Sequence, residues 1–418
     1  MSRTVVVIGE GIIGLSCAYY LQKSGFHVTV LEWGKPGHDC CSLGNAGMVV
    51  PSHFEPLAAP GMVAYGLKMM LRRNGPFGIR PSLNPALVQW AWTFMRSCRP
   101  EHVEKCARLL RDLNMESRRL YIEMAEASKG AFALEQGGLV MLCHSEKAFK
   151  SEEKLADEAR HLDLRVNVLD SNGVQSLETN TKLTAVGGVH FLDDCHLNPN
   201  DLIDWLRKDL VAKGVEFRYE AHVAGFKIEG RRVNAVLTSS DELPADEVVL
   251  AAGTWSGNLA KQAGFRMPMQ GGKGYSVTLP VISKPKHCYI LVEGRIAVTP
   301  MESGIRFAGT MEIVGEDLSV NSARYKGILE NIPRYMPDFQ LTDFSELGVW
   351  SGLRPCSADG MPYLGRPGIL DNLIIASGHS MMGVSLAPVS GQIVAEIANG
   401  EEPSFSMEAM APDRFHRQ

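Results

Sequence analysis

The sequence lacks three features that would each point to a particular class of protein. It has no excess of positive charge, since 42 Lys and Arg residues face 47 Asp and Glu residues among 418, for a net charge of -5. It has nine cysteines but no C-x-x-C pair, and the number is odd. These absences argue against nucleic acid as the main partner, against a disulfide framework and against a zinc site, so we predict no metal.

The third missing feature is an uncharged apolar run long enough to cross a bilayer. We therefore expect no transmembrane segment and, at most, peripheral contact with a membrane. Unpaired cysteines favour a reducing compartment, which predicts a cytoplasmic protein, with a peripheral position at the inner membrane as the alternative. The remaining composition, 45% hydrophobic and 21% charged, is ordinary for a globular chain of this length.

The most informative stretch that is present lies at the N-terminal end. Residues 5–8 are apolar and β-branched, which predicts a buried parallel strand, and Gly9, Gly11 and Gly14 follow on the G-x-G-x-x-G spacing. A helical pattern comes next, and a second apolar strand then ends at Glu32. A carboxylate at this distance typically accepts hydrogen bonds from the adenosine ribose, so the stretch predicts a dinucleotide site.

The rest of the chain alternates between two kinds of lobe. Small residues over 40–48 allow the backbone to approach a ligand, with a plain surface loop as the alternative. Apolar strands that end in small-residue turns return at 247–256 and 373–383, and a C-terminal helix is predicted over 387–398. We assign residues 1–75, 197–262 and 346–418 to a nucleotide-binding domain, and residues 76–196 and 263–345 to a second domain whose later part has the pattern of an antiparallel sheet.

Several ordered motifs carry a family resemblance. They are Gly9-Glu10-Gly11-Ile12-Ile13-Gly14 with Glu32, Ser42-Leu43-Gly44-Asn45-Ala46-Gly47, Ala252-Gly253-Thr254-Trp255-Ser256, Lys273-Gly274-Tyr275, Gly352-Leu353-Arg354-Pro355, Asp359-Gly360-Met361-Pro362 and Gly378-His379-Ser380-Met381-Met382-Gly383. With these motifs the sequence resembles the glycine oxidase and D-amino acid oxidase superfamily of FAD-dependent amine oxidoreductases. Within it, the sequence is similar to bacterial D-amino acid dehydrogenases and hydroxyproline dehydrogenases.

The resemblance implies an α/β fold, in which a Rossmann-like FAD-binding domain is joined to an α+β substrate domain built on an antiparallel sheet. It also implies FAD as the cofactor. Some relatives attach FAD through a cysteine, but the spacing from Cys356 to Asp359 does not reproduce their pattern, so we expect noncovalent FAD. The residues predicted to bind it are Gly9, Gly11, Ile12, Ile13, Gly14, Glu32, Ser42, Asn45, Ala46, Gly47, Met48, Val223, Ala252, Gly253, Trp255, Arg354, Gly378, His379, Met381, Met382 and Gly383.

The predicted substrate site centres on Arg354. An amino acid brings a carboxylate that a planar guanidinium holds well, and the resemblance places the arginine of the Gly-Leu-Arg-Pro motif there. A buried salt bridge between the lobes is the alternative. Tyr275 is the second predicted catalytic residue, with simple packing as its alternative, and Arg306, His53 and Met382 are further candidates for substrate binding. Hydride transfer from a neutral amine needs no base at the α-carbon, so His53 and His379 are expected to be structural in the first instance.

The resulting functional prediction is an FAD-dependent dehydrogenase that oxidises an amino or imino acid by hydride transfer to flavin N5. The substrate class is a D-amino acid or a D-hydroxyproline-like imino acid, and the product is an imine that hydrolyses to a 2-oxo acid and ammonia where it is acyclic. The expected electron acceptor is a quinone or another respiratory-chain component. An oxygen-using oxidase of the glycine or sarcosine type, or the flavin subunit of a hetero-oligomeric hydroxyproline dehydrogenase, remain the alternatives, and the oligomeric state stays open.

Overall fold

A computed structural model of the chain describes residues 3–70, 74–80, 84–281 and 283–415. The strands are β1 (Thr4–Ile8), β2 (His27–Leu31), β3 (Met48–Val49), β4 (Phe77–Ile79), β5 (Leu134–Glu135), β6 (Leu139–Cys143), β7 (Val166–Asp170), β8 (Gly187–Phe191), β9 (Cys195–Leu197), β10 (Glu216–Arg218), β11 (Val223–Glu229), β12 (Arg232–Thr238), β13 (Glu242–Pro244), β14 (Glu247–Leu250), β15 (Met269–Leu279), β16 (Cys288–Leu291), β17 (Ile296–Met301), β18 (Gly304–Ile313), β19 (Trp350–Ser357), β20 (Tyr363–Gly365) and β21 (Leu373–Ser377).

The helices are α1 (Ile12–Lys23), α2 (Met62–Met70), α3 (Pro85–Ser97), α4 (Pro100–Ser128), α5 (Glu146–His161), α6 (Ser171–Ser176), α7 (Pro199–Ala212), α8 (Ser256–Gln262), α9 (Ser322–Tyr335) and α10 (Gly383–Asn399). Short 3₁₀ turns lie at Gly253–Trp255, Leu341–Phe344 and Ser380–Met382.

A six-stranded sheet in the order β10-β2-β1-β14-β21-β20 forms the first layer. Neighbouring strands are parallel, except that β20 runs antiparallel to β21. Strand β1 lies inside the sheet, and its alternate side chains enter two different cores. Val5 and Val7 pack in the core that includes α1 and α10, whereas Val6 and Ile8 pack in the core that includes α8 and the β12 strand. Burial on both faces explains why β1 reads as an unbroken apolar run.

A nine-stranded sheet forms the second layer. Its order is β19-β15-β18-β17-β16-β6-β8-β7, and β4 joins it by pairing with β18. Most neighbours are antiparallel, but β6 pairs with β16 and β4 pairs with β18 in parallel. The two layers confirm the predicted fold class, a Rossmann-like domain joined to an α+β domain.

Each of the two sheets takes its strands from the predicted segments of one domain, with β19 as the exception. Strands β1, β2, β10, β14, β20 and β21 of the parallel layer come from the segments 1–75, 197–262 and 346–418. Strand β19 also lies in the last of these segments, yet it pairs with β15 along eight residues of the nine-stranded sheet. The chain therefore crosses between the layers within residues 346–418, after β19. Side chains of β19 lie at the boundary between the two layers.

The C-terminal helix begins earlier than the sequence predicts. Helix α10 starts at Gly383 rather than near residue 387, and Pro388 lies inside it. Proline cannot donate a backbone hydrogen bond to the carbonyl four residues earlier. The hydroxyl of Tyr121, which lies on α4, instead donates to the Val384 carbonyl at 2.6 Å, so the carbonyl that Pro388 leaves unpaired still has a partner.

The sequence predicts no apolar run long enough to cross a bilayer, but helix α10 and the turn before it form one. Ser380–Asn399 is long and apolar enough to cross a membrane, and no other described helix is. However, 67% of its apolar 18-residue segment is buried inside the fold. Val389, Ile393 and Val394 belong to the same core as α1 and α4. The stretch is therefore apolar because it forms the interior of the nucleotide-binding domain.

Candidate active site

A cavity of about 1250 Å³ lies between the two sheets. The segments that follow the carboxyl ends of β1, β2, β14 and β21 line one side of it, which is where open parallel sheets bind their ligands. Residues of β15, β18 and β19 line the other side. The cavity is therefore built from both layers, and its volume exceeds that of a typical site for one small ligand.

The glycines of the turn between β1 and α1 each lie where a side chain would collide or would enter the cavity, which fits the predicted pyrophosphate site. Gly9 has φ +108°, and a Cβ atom there would lie 2.6 Å from the Ala251 carbonyl oxygen. A Cβ atom on Gly14 would lie 1.9 Å from the Gly9 carbonyl oxygen, so Gly14 packs the helix against the turn. A Cβ atom on Gly11 would have only Ser42 Oγ nearby, at 3.8 Å, and would project into space that a ligand needs. The N-terminus of α1 then faces that space with its dipole.

Glu32 directly follows β2, at the cavity wall. Its carboxylate accepts hydrogen bonds from the backbone N–H groups of Glu10 and Gly34, each at 2.9 Å, and the His38 imidazole lies 3.3 Å away. Glu10 is itself buried, with Oε1 bound by Arg207 at 2.5 Å and Oε2 without a partner among the described residues. Glu32 therefore remains an acceptor fixed in place at the cavity wall, as ribose recognition requires.

The loop that the sequence singled out, Cys40 to Met48, passes over the start of α1. Ser42 Oγ accepts a hydrogen bond from the backbone N–H of Ile12 at 3.2 Å, and Asn45 Oδ1 accepts one from Gly47 at 2.8 Å. Arg306 fastens this loop, because its Nη1 donates to the carbonyls of Leu43 and Asn45 at 2.8 and 2.7 Å. The guanidinium of Arg306 is thus occupied by backbone carbonyls, and Arg306 does not line the cavity.

Two further turns complete the predicted cofactor site. Ala252, Gly253 and Trp255 line the cavity after β14, next to Val223 of β11. His379, Met381, Met382 and Gly383 line it after β21, at the N-terminus of α10. His379 donates to or accepts from Ser390 Oγ at 2.9 Å, and burial lowers its pKa to about 3, so the ring is neutral. The donors and glycines of these segments fit a dinucleotide such as FAD.

Arg354 lies in β19, at the boundary between the two layers. Its Nη1 donates to the Thr310 carbonyl at 2.7 Å, and no carboxylate forms an ion pair with it in the described part of the chain. Burial lowers the pKa of this guanidinium. A Cβ atom on Gly274 would lie 2.2 Å from both terminal nitrogens, so the glycine provides the space in which the guanidinium lies. The alternative of an interlobe salt bridge finds no support in these contacts.

Tyr275 and His53 also line the cavity, but their polar atoms have protein partners. The Tyr275 hydroxyl donates to Glu312 Oε2 at 2.6 Å and accepts from the Asn321 N–H at 3.2 Å. His53 Nδ1 lies 3.1 Å from Ser52 Oγ, and that hydroxyl donates to buried Asp194 at 2.5 Å. Burial lowers the pKa of His53 to about 4 and raises the pKa of Asp194 to about 8.

The structure brings most of the predicted site residues together. Of the predicted set, Gly14, Gly47, Gly378 and Arg306 do not line the cavity. The three glycines are next to lining residues and have a packing reason, since a Cβ atom on Gly47 would lie 2.0 Å from the Leu197 carbonyl oxygen and one on Gly378 would lie 2.7 Å from the Tyr363 ring. The roles of all these residues in binding remain predictions.

Sequence reasoning missed a charged group at the cavity wall. Glu152 of α5 lines the cavity, although its helix reads as exposed and amphipathic, and Oε2 is buried without a partner in the described residues. Arg295 and Tyr65 lie there too, with the Arg295 guanidinium 4.4 Å from the centre of the Tyr65 ring. Sequence pattern carries no signal for this arrangement, because the three residues come from distant elements.

Comparisons with known proteins agree with the geometry. The family model for FAD dependent oxidoreductases (DAO) matches residues 4–397. A D-amino acid dehydrogenase of Vibrio atlanticus is 31% identical over 98% of this chain and 99% of its own length. A D-amino acid dehydrogenase of Paramagnetospirillum magneticum is 32% identical over 98% of both chains. Among solved structures, glycine oxidase from Geobacillus kaustophilus has a TM-score of 0.77 at 20% identity, covering 99% of both chains.

Proposed function

Because this chain belongs to the family of FAD-dependent oxidoreductases, confirmed by a match over residues 4–397, we propose that it is a dehydrogenase of amino or cyclic imino acids. The proposed substrates are D-amino acids or D-hydroxyproline-like imino acids. Relatives named D-amino acid dehydrogenase that match over nearly the whole chain at about 30% identity support this class. The solved glycine oxidase supports the fold alone.

One observation carries the proposal: Arg354 presents a guanidinium to the cavity without a carboxylate partner among the described residues. A guanidinium that has lost much of its hydration is costly unless an anion accompanies it. A planar fork of donors binds a carboxylate through two parallel hydrogen bonds. A zwitterionic amino acid supplies such a carboxylate, and a substrate bound through it is held at the side of the cavity that β15, β18 and β19 form.

When bound, FAD supplies the acceptor for the hydride that leaves the substrate carbon next to nitrogen. The protein's part is to orient that carbon and to keep water away. Arg354 fixes the carboxylate, and the absence of a side chain at Gly274 leaves room for its guanidinium. Apolar side chains of Met141, Ile290 and Ala297 line the same cavity and limit the water that enters it.

We also propose that FAD is held noncovalently. Cys356 is buried, packs its sulfur against Met311 Sδ at 3.8 Å and does not line the cavity. Acid precipitation should therefore release the yellow cofactor into the supernatant. Flavin that stays with the precipitated chain would contradict this part of the proposal.

The test of substrate class is anaerobic mixing of the purified yellow protein with D- and L-amino acids, proline and hydroxyprolines. We expect flavin bleaching by D-amino acids or by D-hydroxyproline-like imino acids. No bleaching by any amino or imino acid would overturn the function. In aerobic turnover we expect an artificial dye or quinone to support a much higher rate than oxygen, and stoichiometric peroxide at comparable rates would show an oxidase instead.

A further inference from the structure

One stretch of the chain differs sharply in charge from the whole. Residues 56–100 contain no Asp or Glu, and their basic residues are Lys68, Arg72, Arg73, Arg80, Arg96 and Arg99. The complete chain has a net charge of -5. A positive excess over this length, in an otherwise acidic chain, concentrates positive potential on one part of the surface.

The same stretch exposes large apolar side chains. On α3, Val88, Trp92 and Met95 are 58%, 61% and 46% exposed, and their spacing of four and three residues places them on one face of the helix. On α2, Leu67 and Met70 are 63% and 38% exposed. Solvent exposure of so many large apolar residues in consecutive helices marks an interaction surface.

These side chains are not displaced core residues, because both helices already bury another face. Trp90 of α3 is buried and donates from Nε1 to the Cys356 carbonyl at 2.9 Å. Gly66 of α2 packs against the Phe77 ring of β4, and Phe77, Leu87 and Phe94 surround the core cluster that contains Trp90. Phe77 of β4 therefore contacts α2 and also packs against the cluster in which α3 buries Trp90.

We propose that this surface docks on an anionic lipid bilayer. We call it the α2–α3 face, and its residues are Leu67, Lys68, Met70, Val88, Trp92, Met95, Arg96 and Arg99. Lys68, Arg96 and Arg99 are exposed and form no ion pair in the described part of the chain, so their charges are available to lipid headgroups. Exposed Trp and aliphatic residues beside Lys and Arg are the composition of segments that lie in a bilayer interface.

Charge decides between a bilayer and a second copy of the chain. A symmetric dimer through the α2–α3 face would bring two sets of positive residues together with no acidic residue of the stretch to neutralise them. An anionic lipid surface provides the complementary charge, and the apolar side chains enter its interfacial region. The observations thus favour the bilayer as occupant.

Helix α2 connects the α2–α3 face to the cavity. Met62 and Tyr65, on the same helix as Leu67 and Met70, line the cavity described above. A bilayer bound to the α2–α3 face therefore lies beside one wall of the cavity. If the proposed function holds, a lipid-soluble quinone would reach the reduced cofactor from that side.

The test is flotation of the complete, FAD-loaded protein with vesicles of phosphatidylcholine alone and with vesicles in which about a third of the lipid is phosphatidylglycerol. We expect flotation only with the anionic vesicles, and release at about 0.5 M salt as the headgroup charges are screened. The double variant Trp92→Glu/Met95→Glu should bind at least about tenfold more weakly, because it removes the apolar contact and adds negative charge.

Val211→Glu is the matched control, since Val211 is 58% exposed on α7, outside the α2–α3 face. It should float as the parent does, and both variants should keep their FAD and their rate with a water-soluble dye. Equal binding by the parent and the double variant would overturn the proposal. So would the absence of flotation with every vesicle, or a dimer that the double variant dissociates. None of these results depends on the identity of the amino acid substrate.

Discussion

At the scale of single residues, the positioning of Arg354 depends on the absence of a side chain at Gly274. A methyl group there would occupy the space of the guanidinium, which lies 2.2 to 2.3 Å from the position of a Cβ atom. Since β15 and β19 are paired at this point, with Gly274 opposite Gly352, the backbone has little freedom to move away. The guanidinium itself must therefore shift.

Gly274→Ala should accordingly lower kcat/KM by about 100-fold while leaving FAD bound, because a misplacement of about 1 Å disturbs the orientation of the reacting carbon. Gly348→Ala is the matched control, since a Cβ atom on Gly348 meets nothing within 4 Å. Steady-state kinetics with flavin content measured in parallel would check this. Parental kcat/KM in a fully loaded Gly274→Ala protein would show that Gly274 does not position Arg354.

Glu152 gives a prediction about pH. Burial raises the pKa of its carboxyl from 4.5 to about 7, and the nearby Arg295 offsets this only in part. The folded protein therefore binds a proton more tightly at this site than the unfolded chain does. Between pH 4.5 and 7 the contribution of Glu152 to stability falls as pH rises, and above pH 7 its full cost is present.

Glu152→Gln should thus raise the free energy of unfolding by at most about 3 kcal/mol at pH 8 and change it little near pH 4.5. Thermal unfolding of parent and variant at the two pH values would measure the difference. Glu153→Gln, one position along α5, serves as the control. An equal effect of Glu152→Gln at both pH values would mean that the carboxyl is not protonated in the folded state.

At the scale of elements, the loop from Cys40 to Met48 depends on one side chain of β18. Arg306 donates from Nη1 to two loop carbonyls, and the loop in turn contacts the start of α1 through Ser42. The loop belongs to the wall of the predicted cofactor site, so its order should matter for FAD affinity rather than for substrate affinity. This differs from the sequence-based prediction that Arg306 binds substrate.

Arg306→Met should weaken FAD binding by about tenfold or more, because two charge-assisted hydrogen bonds are lost and the loop carbonyls of Leu43 and Asn45 lose their donor. Titration of the FAD-free protein with FAD, followed by flavin fluorescence, would measure it. Arg306→Lys should restore part of the affinity. An unchanged FAD affinity with a raised KM would instead support the substrate role.

Elements that are continuous in sequence were predictable, and those that depend on distant contacts were not. The strand, turn and helix around Gly9, Gly11 and Gly14 follow from local pattern, as does the Asn198 cap of α7, whose side chain accepts from Asn200. The start of α10 was placed too late, because Pro388 is a helix-start signal when read alone. The hydroxyl of Tyr121, 263 residues away from Val384, gives the carbonyl that this proline leaves unpaired a donor, and a contact at that distance in sequence is not visible in a local pattern.

The same limit applies to the site. The distinctive motif of Arg354 was enough to predict a residue that lines the cavity, and its binding role stays a prediction. The contacts of Arg306 and the position of Glu152 at the cavity wall depend instead on the packing of separate elements. Tyr275 lines the cavity, but its hydroxyl bonds to Glu312 and to the backbone of Asn321, so its predicted catalytic role stays a prediction. A sequence pattern identifies a residue type at a position, and it does not reveal which partner the side chain meets.

At the scale of the whole molecule, the two sheets line opposite sides of one cavity. The turns, glycines and helix N-termini after the parallel strands line one side of the cavity, where we predict the cofactor, and Arg354 of the nine-stranded sheet lines the other side, where we propose that the substrate binds. Strand β19 joins the second sheet just before the chain crosses to β20 and β21 of the first. The central claim is that Arg354 binds the carboxylate of an amino acid that FAD oxidises in this cavity.

The most direct test compares the rates of anaerobic flavin reduction in the parent and in Arg354→Ala and Arg354→Lys, using a reactive amino acid and the matching amine that lacks the carboxylate. The parent should strongly prefer the amino acid. Arg354→Ala should retain FAD but should no longer prefer the amino acid to the amine. With the amino acid it should lose about 2–5 kcal/mol of transition-state stabilisation. The rate of Arg354→Lys with the amino acid should lie between those of the parent and Arg354→Ala. A fully FAD-loaded Arg354→Ala protein that reduces its flavin with the amino acid at the parental rate would contradict the account.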